Sequence, residues 1–398
     1  MYRFILETYR RLIEELTLTK TRYLYASFNI KNRLTGIIGP RGVGKTTMML
    51  QYIKNELYKD GKCFYFTADH IYFKETTLLQ FVSDLYQNEG YHIIFIDEIH
   101  KYQNWNQELK NLYDAFPSLK IVFSGSSMLD LVKGSYDLSR RAVLFHLHGL
   151  SFREYLNFVG DFDLKAIPFN KLLHEPPTVH IPRLLPLFQD YLQHGYYPFV
   201  LEDVHSYYEK LTRVIDKTIY EDIASYYNLK TPSLHYFKRI LTYLASIPPG
   251  ELVIHNLAQN LGVDDKTAQH YLTILASVGL IREIYPMGGG GNRLRKPSKI
   301  FLNNTTLMHT LQQYLEEPIS KGTERELFFI QSLQDAGIEL FYSSDGDFQT
   351  RHEVFEVGGK NKTRRQLKDA KKPSYLVKDD ILTPLKGELP LFMSGFIL

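Results

Sequence analysis

A single cysteine, Cys63, stands in 398 residues, so no disulfide can form within the chain. The fold must be held by packing, which suits a reducing compartment. No apolar run approaches the roughly eighteen residues that a membrane helix needs. The first segment, MYRFILETYRRLIEELTLTKTR, carries a charge every few residues and has no apolar stretch of signal-peptide length. These absences make the expectation a cytoplasmic protein with no membrane contact. A large excess of one charge is missing too: 47 basic against 44 acidic side chains leave +3. That excludes a wholesale polycation, and any contact with nucleic acid must come from a local patch. No internal repeat is visible, and low complexity is confined to the glycine run Gly288–Gly291.

What is present is enough apolar material, 44%, to fill several cores, in a chain long enough for two or three domains. Residues 1–33 read as an amphipathic helix (Phe4, Ile5, Tyr9, Leu12, Ile13, Leu16) leading to an entry segment. From Leu34 the short runs TGIIG, KCFYFTA, HIIFID and LKIVFSG alternate with helical stretches. Runs apolar on both faces and separated by helices predict an α/β fold with a parallel sheet covered on both sides. Leu150–Leu229 reads as a helical bundle broken at Pro176-Pro177 and Pro198. After Lys321 the pattern becomes helix, strand, strand.

The segment GPRGVGKTT, Gly39–Thr47, has the spacing G-x-x-x-x-G-K-[ST] between an apolar strand and an amphipathic helix. Each part has a physical task. Gly39, Gly42 and Gly44 let the backbone turn tightly, so that N–H groups of the loop, which also holds Pro40, Arg41 and Val43, can point at the β-phosphate. Lys45 supplies a point charge to the β- and γ-phosphates, Thr46 offers a hydroxyl to Mg²⁺, and Thr47 continues the helix start. Some fifty residues on, HIIFIDE ends in Asp97 and Glu98. An acid ending this strand holds Mg²⁺ through its water shell, and the glutamate after it polarises the attacking water as general base. Together they are a Walker A and a Walker B motif, and they predict an ATP-hydrolysing site with Mg²⁺.

Further parts follow from position. LKIVFSGSS ends in Ser124, Ser126 and Ser127, and Ser126 is the expected water-orienting side chain, against a plain serine-rich turn. Arg140 and Arg141 are candidates for a transition-state arginine, acting in cis or from a neighbouring subunit, against a salt-bridged structural role. Asp69 reads as a helix cap, and His100 as a brace for the loop after the acidic pair.

GPRGVGKTT, IFIDEIHKYQNW, FSGSSMLDL, DLSRRAVLFHLHGLSFREYL and HGYYPF, in that order, resemble prokaryotic AAA-fold ATPases. In these a winged helix is followed by a domain of unknown function similar to restriction-endonuclease cores. The resemblance implies a five-stranded parallel P-loop core at 1–149, a helical lid at 150–232, a winged helix at 233–300 and an endonuclease-like α/β domain, inactive, at 301–398. It also implies ATP with Mg²⁺ and oligomerisation. Where the family often has glycine before the arginine matching Arg141, this chain has Arg140, so which arginine serves stays open.

Leu252–Ile284 has the order of a helix-turn-helix. Leu257, Ala258 and Leu261 lie on a first helix, Gly262 at the turn, and Asp264 or Asp265 caps a second helix with Ala268, Tyr271, Leu272 and Leu275 inward. Arg293, Arg295, Lys296 and Lys299 follow with no acid among them. One reading is DNA contact, with Lys266, Gln269 and His270 toward bases and the arginines toward phosphates. The other is packing or partner binding alone, favoured by the two aspartates, which would repel phosphate.

In the C-terminal segment Glu326, Asp347 and Glu356 match the acids of an endonuclease core. Gly358 occupies the place of its lysine, and Lys360 is the nearest substitute. The leading expectation is an ATPase that drives conformational change in a DNA- or protein-binding assembly. Its rivals are a nucleotide-gated binding module and an ATPase-controlled nuclease.

Overall fold

The computed structural model describes residues 2–125, 138, 140–160, 162–288, 299–315 and 318–398. Contacts divide the chain into two compact units, Met1–Gly149 and Leu150–Leu398.

The first unit is built on β1 (Leu34–Ile38), β2 (Cys63–Thr67), β3 (Ile93–Asp97), β4 (Lys120–Gly125) and β5 (Ala142–His146), all parallel, in the order β2-β3-β4-β1-β5. β1 is buried along its whole length, and β2, β3 and β4 nearly so. This is why these strands read as unbroken apolar runs: a parallel strand covered by helices on both faces has no solvent side to show. The helices are α1 (Tyr2–Glu15), α2 (Lys45–Tyr52), α3 (Leu78–Gln87) and α4 (Trp105–Ala115). In α1 the buried stripe is Ile5, Tyr9 and Ile13, one residue per turn, while Phe4 remains 58% exposed. The order, the strand directions and the strand-to-helix turn after β1 are consistent with a P-loop AAA-type core.

The second unit opens with helices at Phe152–Val159, Phe169–His174, Leu184–His194 and Tyr207–Lys217. Pro176 and Pro177 lie in the non-helical stretch before Leu184, and Pro198 starts a short turn. Helices Ile254–Leu261 and Asp265–Ser277 follow. Gly262 ends the first, and Asp264 caps the second by accepting from the Thr267 N–H at 3.0 Å. Then comes an antiparallel pair, β6 (Ile281–Ile284) and β7 (Lys299–Leu302). A five-stranded mixed sheet closes the unit: β8 (Phe341–Tyr342), β9 (Phe348–Gln349), β10 (Val354–Gly358), β11 (Ser374–Lys378) and β12 (Glu388–Pro390), in sequential order, with β10, β11 and β12 parallel. Its core is aromatic, with Phe188 against Phe152 and Phe328, and Phe152 against Phe396. Among the described residues no helix is long and apolar enough to cross a membrane.

Candidate functional site

β1 delivers the chain to the carboxyl edge of the sheet, where Gly39–Gly44 turn it into α2. Two glycines are compulsory there. A Cβ on Gly39 would stand 2.0 Å from the Leu147 carbonyl oxygen, and Gly44 takes φ +93°, open to glycine at little cost. Arg22, buried, donates to the Val43 carbonyl within this loop and to the carbonyls of His148 (2.7 Å) and Gly149 (2.8 Å). Lys45 is 5% exposed, and its ammonium closes over the loop onto the carbonyls of Gly39 and Pro40, each at 2.9 Å. The loop runs directly into the first turn of α2, which carries the positive end of the helix dipole.

β3 lies one strand from β4, which pairs with β1, so its end brings Asp97 to the same edge. The Asp97 carboxylate is 3% exposed and fully engaged. On Oδ2 it accepts from Thr46 Oγ1 (2.5 Å) and Tyr65 Oη (2.9 Å). On Oδ1 it accepts from Ser124 Oγ and from the Glu98 N–H (3.1 Å). Burial, then the neighbouring Asp97, push the Tyr65 phenol far above its ordinary value, so it donates. Glu98 itself sits at φ +50°, a left-handed conformation that costs a non-glycine residue about 1 kcal/mol or more. Its Oε2 is buried with no hydrogen-bond partner, 3.4 Å from His100 Nε2.

The sequence places Gly39–Thr47, Asp97 and Glu98 in one site, and the fold brings them to one edge of the sheet. Ser126 and Ser127 lie outside the described residues; Ser124 is the serine in contact with Asp97. Sequence reasoning missed Tyr65, whose only signal is its phase on β2, two residues before the Thr67 that pairs with Asp97. Asp69 is no helix cap: its Oδ1 accepts from Thr67 Oγ1 at 2.5 Å, and His70 caps the turn that follows.

Arg141 stands elsewhere. It precedes Ala142, which pairs with Leu34 at the start of β1. One five-residue strand, about 16 Å, separates it from the loop at the other end. Its guanidinium is 3.3 Å from Asp114 and lies over the Tyr113 ring. Arg140, exposed beside it, shares that edge. Action in cis is therefore closed to both.

A phosphate chain with a divalent cation fits this arrangement. The glycine cradle leaves room that a Cβ would fill, the donors are backbone N–H groups and one ammonium, and a hydroxyl adjoins a carboxylate where a hydrated cation needs oxygen ligands.

Residues 31–156 match the family described as an AAA domain. The matched segment contains every residue of the site except Arg22. A second match, residues 185–317, is to a domain of unknown function (DUF8612). No curated protein matches the chain. Among solved structures it is similar to the S. cerevisiae Hsp104–ADP complex, at 15% identity and TM-score 0.30, over 68% of this chain and 39% of that one. It is also similar to AMPPCP-bound DnaA from Aquifex aeolicus, at 16% and 0.27, over 69% of this chain and 87% of that one. The chain thus spans well under half of Hsp104 and most of DnaA. At these scores the likeness has no bearing on function.

Outside the AAA domain the expected contacts fare unevenly. On the Asp265–Ser277 helix Lys266 and His270 are exposed. Gln269 is half-buried, with a buried Oε1 that makes no hydrogen bond. Arg293, Arg295 and Lys296 lie outside the described residues. Lys299 faces inward, its ammonium 2.7 Å from Glu326. In the C-terminal sheet the lysine on Glu356 is Lys362, at 2.5 Å, and not Lys360, which is exposed. Burial raises the Glu326 and Glu356 carboxyls, with Lys299 and Lys362 pulling the other way. Among the described residues no three His, Cys, Asp or Glu side chains stand together as cation ligands, and both glutamates already carry an ammonium.

Proposed function

We propose that the AAA domain binds ATP with Mg²⁺ and hydrolyses it, and that the chain uses this cycle to drive conformational change in a DNA- or protein-binding assembly. One observation carries the reading: Thr46 Oγ1 and the Asp97 carboxylate meet at 2.5 Å, at the foot of the loop that the Lys45 ammonium closes over. Thr46 and Asp97 would hold Mg²⁺ with the nucleotide, and the cation would supply positive charge against the charge of the phosphates. Lys45 leaves the two loop carbonyls for the triphosphate, Thr46 and Asp97 orient toward the cation's shell, and Glu98 takes a proton from the attacking water. Ser126 is proposed to orient that water. Arg141, or Arg140, serves the site only from a second copy of the chain, which makes a homo-oligomer part of the proposal. DNA contact, if the assembly makes it, uses Lys266, His270, Arg293 and Arg295.

Turnover that depends on Mg²⁺ and vanishes in Lys45→Ala is the expected result. Glu98→Gln retains ATP while turnover falls roughly 10²- to 10⁴-fold, the usual contribution of a positioned base. Hydrolysis by that variant at the wild-type rate removes Glu98 from the role.

A second reading, ATP as a switch with negligible turnover, has support in Glu98. Its Oε2 lies against His100 without a hydrogen bond. Turnover measured with and without duplex DNA separates the two.

A further inference from the structure

Tyr65 belongs to no motif, yet its hydroxyl lies on the carboxylate at the centre of the site. It stands on β2 opposite Phe95, and two residues on Thr67 stands opposite Asp97, so Tyr65 and Asp97 project from the same face. The ring is 5% exposed and packs against Tyr9 of α1 at 6.4 Å, which fixes its direction. From there its hydroxyl reaches Asp97 Oδ2 at 2.9 Å, the oxygen that Thr46 also contacts.

Two of the side-chain donors on Asp97 are anchored in strands: Tyr65 on β2 holds Oδ2, and Ser124 on β4 holds Oδ1. Thr46 is the third, and it is the one that must leave if its hydroxyl is to serve a cation. Once Thr46 has turned away, Tyr65 alone among the described side chains keeps Oδ2 in place. A carboxylate ligating through water needs a fixed plane, because the neighbours that orient a ligand set much of a metal's affinity. We propose that Tyr65 is a positioning residue for Asp97 and sets how tightly the site holds Mg²⁺ with its nucleotide, without contributing to nucleotide binding in the absence of metal. The inference rests on the ATP reading above and adds to it the residue that tunes the cation.

Tyr65→Phe keeps the buried ring and removes one oxygen. A fluorescent ATP analogue is titrated onto the full chain in EDTA, and again at stepped Mg²⁺ concentrations, for wild type and variant. Removal of the orienting partner is expected to raise the Mg²⁺ concentration for half of the metal-induced gain in affinity about 10-fold, within the usual 10- to 100-fold range. Affinity in EDTA stays within about twofold of wild type. Ser124→Ala, which takes the donor from Oδ1, shifts the same midpoint in the same direction. An unchanged Mg²⁺ midpoint in Tyr65→Phe overturns the inference. So does an equal loss in EDTA and in Mg²⁺, the mark of a merely structural residue. If wild type binds no nucleotide under either condition, the ATP reading fails instead.

Discussion

At the scale of single residues, the chain announces the parts whose chemistry fixes their spacing and conceals those brought in by the fold. Gly39, Gly44, Lys45, Thr46, Asp97 and Glu98 were legible because a phosphate cradle and a strand-end acid need those residue types at those intervals. Tyr65 was not, since its contact with Asp97 depends on the β2–β3 register, which no local pattern prints. Ser124 on Asp97 was not singled out for a related reason: a serine-rich strand end does not say which hydroxyl points inward, and Ser126, the expected water-orienting residue, lies outside the described residues. The cis role left open for Arg141 falls away because a motif gives order along the chain but not the end of the sheet. Gly39 yields a sharp expectation. Alanine there would drive its Cβ into the backbone oxygen of Leu147, an atom that cannot turn aside. Gly39→Ala should destabilise the first unit by about 2–3 kcal/mol and lower its melting temperature by several degrees. A melt within one degree of wild type contradicts that packing.

At the scale of elements, the central strands of the first unit were readable from composition, and the short strands of the second were not. β8 and β9 have two residues each and β12 three, so their pairing is set by the rest of the sheet rather than by any period of their own. The charged contacts of that unit were equally hidden: Lys299 reaches from β7 to Glu326, and Lys362 folds back onto Glu356. The helix Lys321–Asp335 carries another such contact. Glu324, 1% exposed in its first turn, accepts from His309 Nε2 at 2.6 Å and Lys321 Nζ at 2.7 Å. Burial acts to raise its carboxyl, but these two partners outweigh it, and the folded value lies below the ordinary 4.5. A depressed carboxylate contributes stability that is complete above the ordinary value and is lost as pH falls through the folded one. Urea unfolding between neutral and acidic pH should show that loss, and Glu324→Gln should flatten it. Identical pH profiles for the two proteins contradict the assignment.

At the scale of the whole molecule, two units share one chain: residues 31–156 match the AAA-domain family, and residues 185–317 match a domain of unknown function. The near-neutral charge leaves any DNA contact to a few side chains, with Asp264 and Asp265 exposed beside Lys266. If phosphate contacts by Arg293 and Arg295 carry such binding, affinity for duplex DNA should fall steeply with salt. The Arg293→Ala variant should lower the slope of log affinity against log salt by about 1. A slope equal to that of wild type takes Arg293 out of the interface. The central claim, however, is the triphosphate clasp. Equilibrium binding of labelled ATP to the purified chain in Mg²⁺, wild type beside Lys45→Ala, tests it most directly. Saturable retention by wild type, lost in the variant, is the predicted result; equal retention by both, or none by wild type, contradicts it.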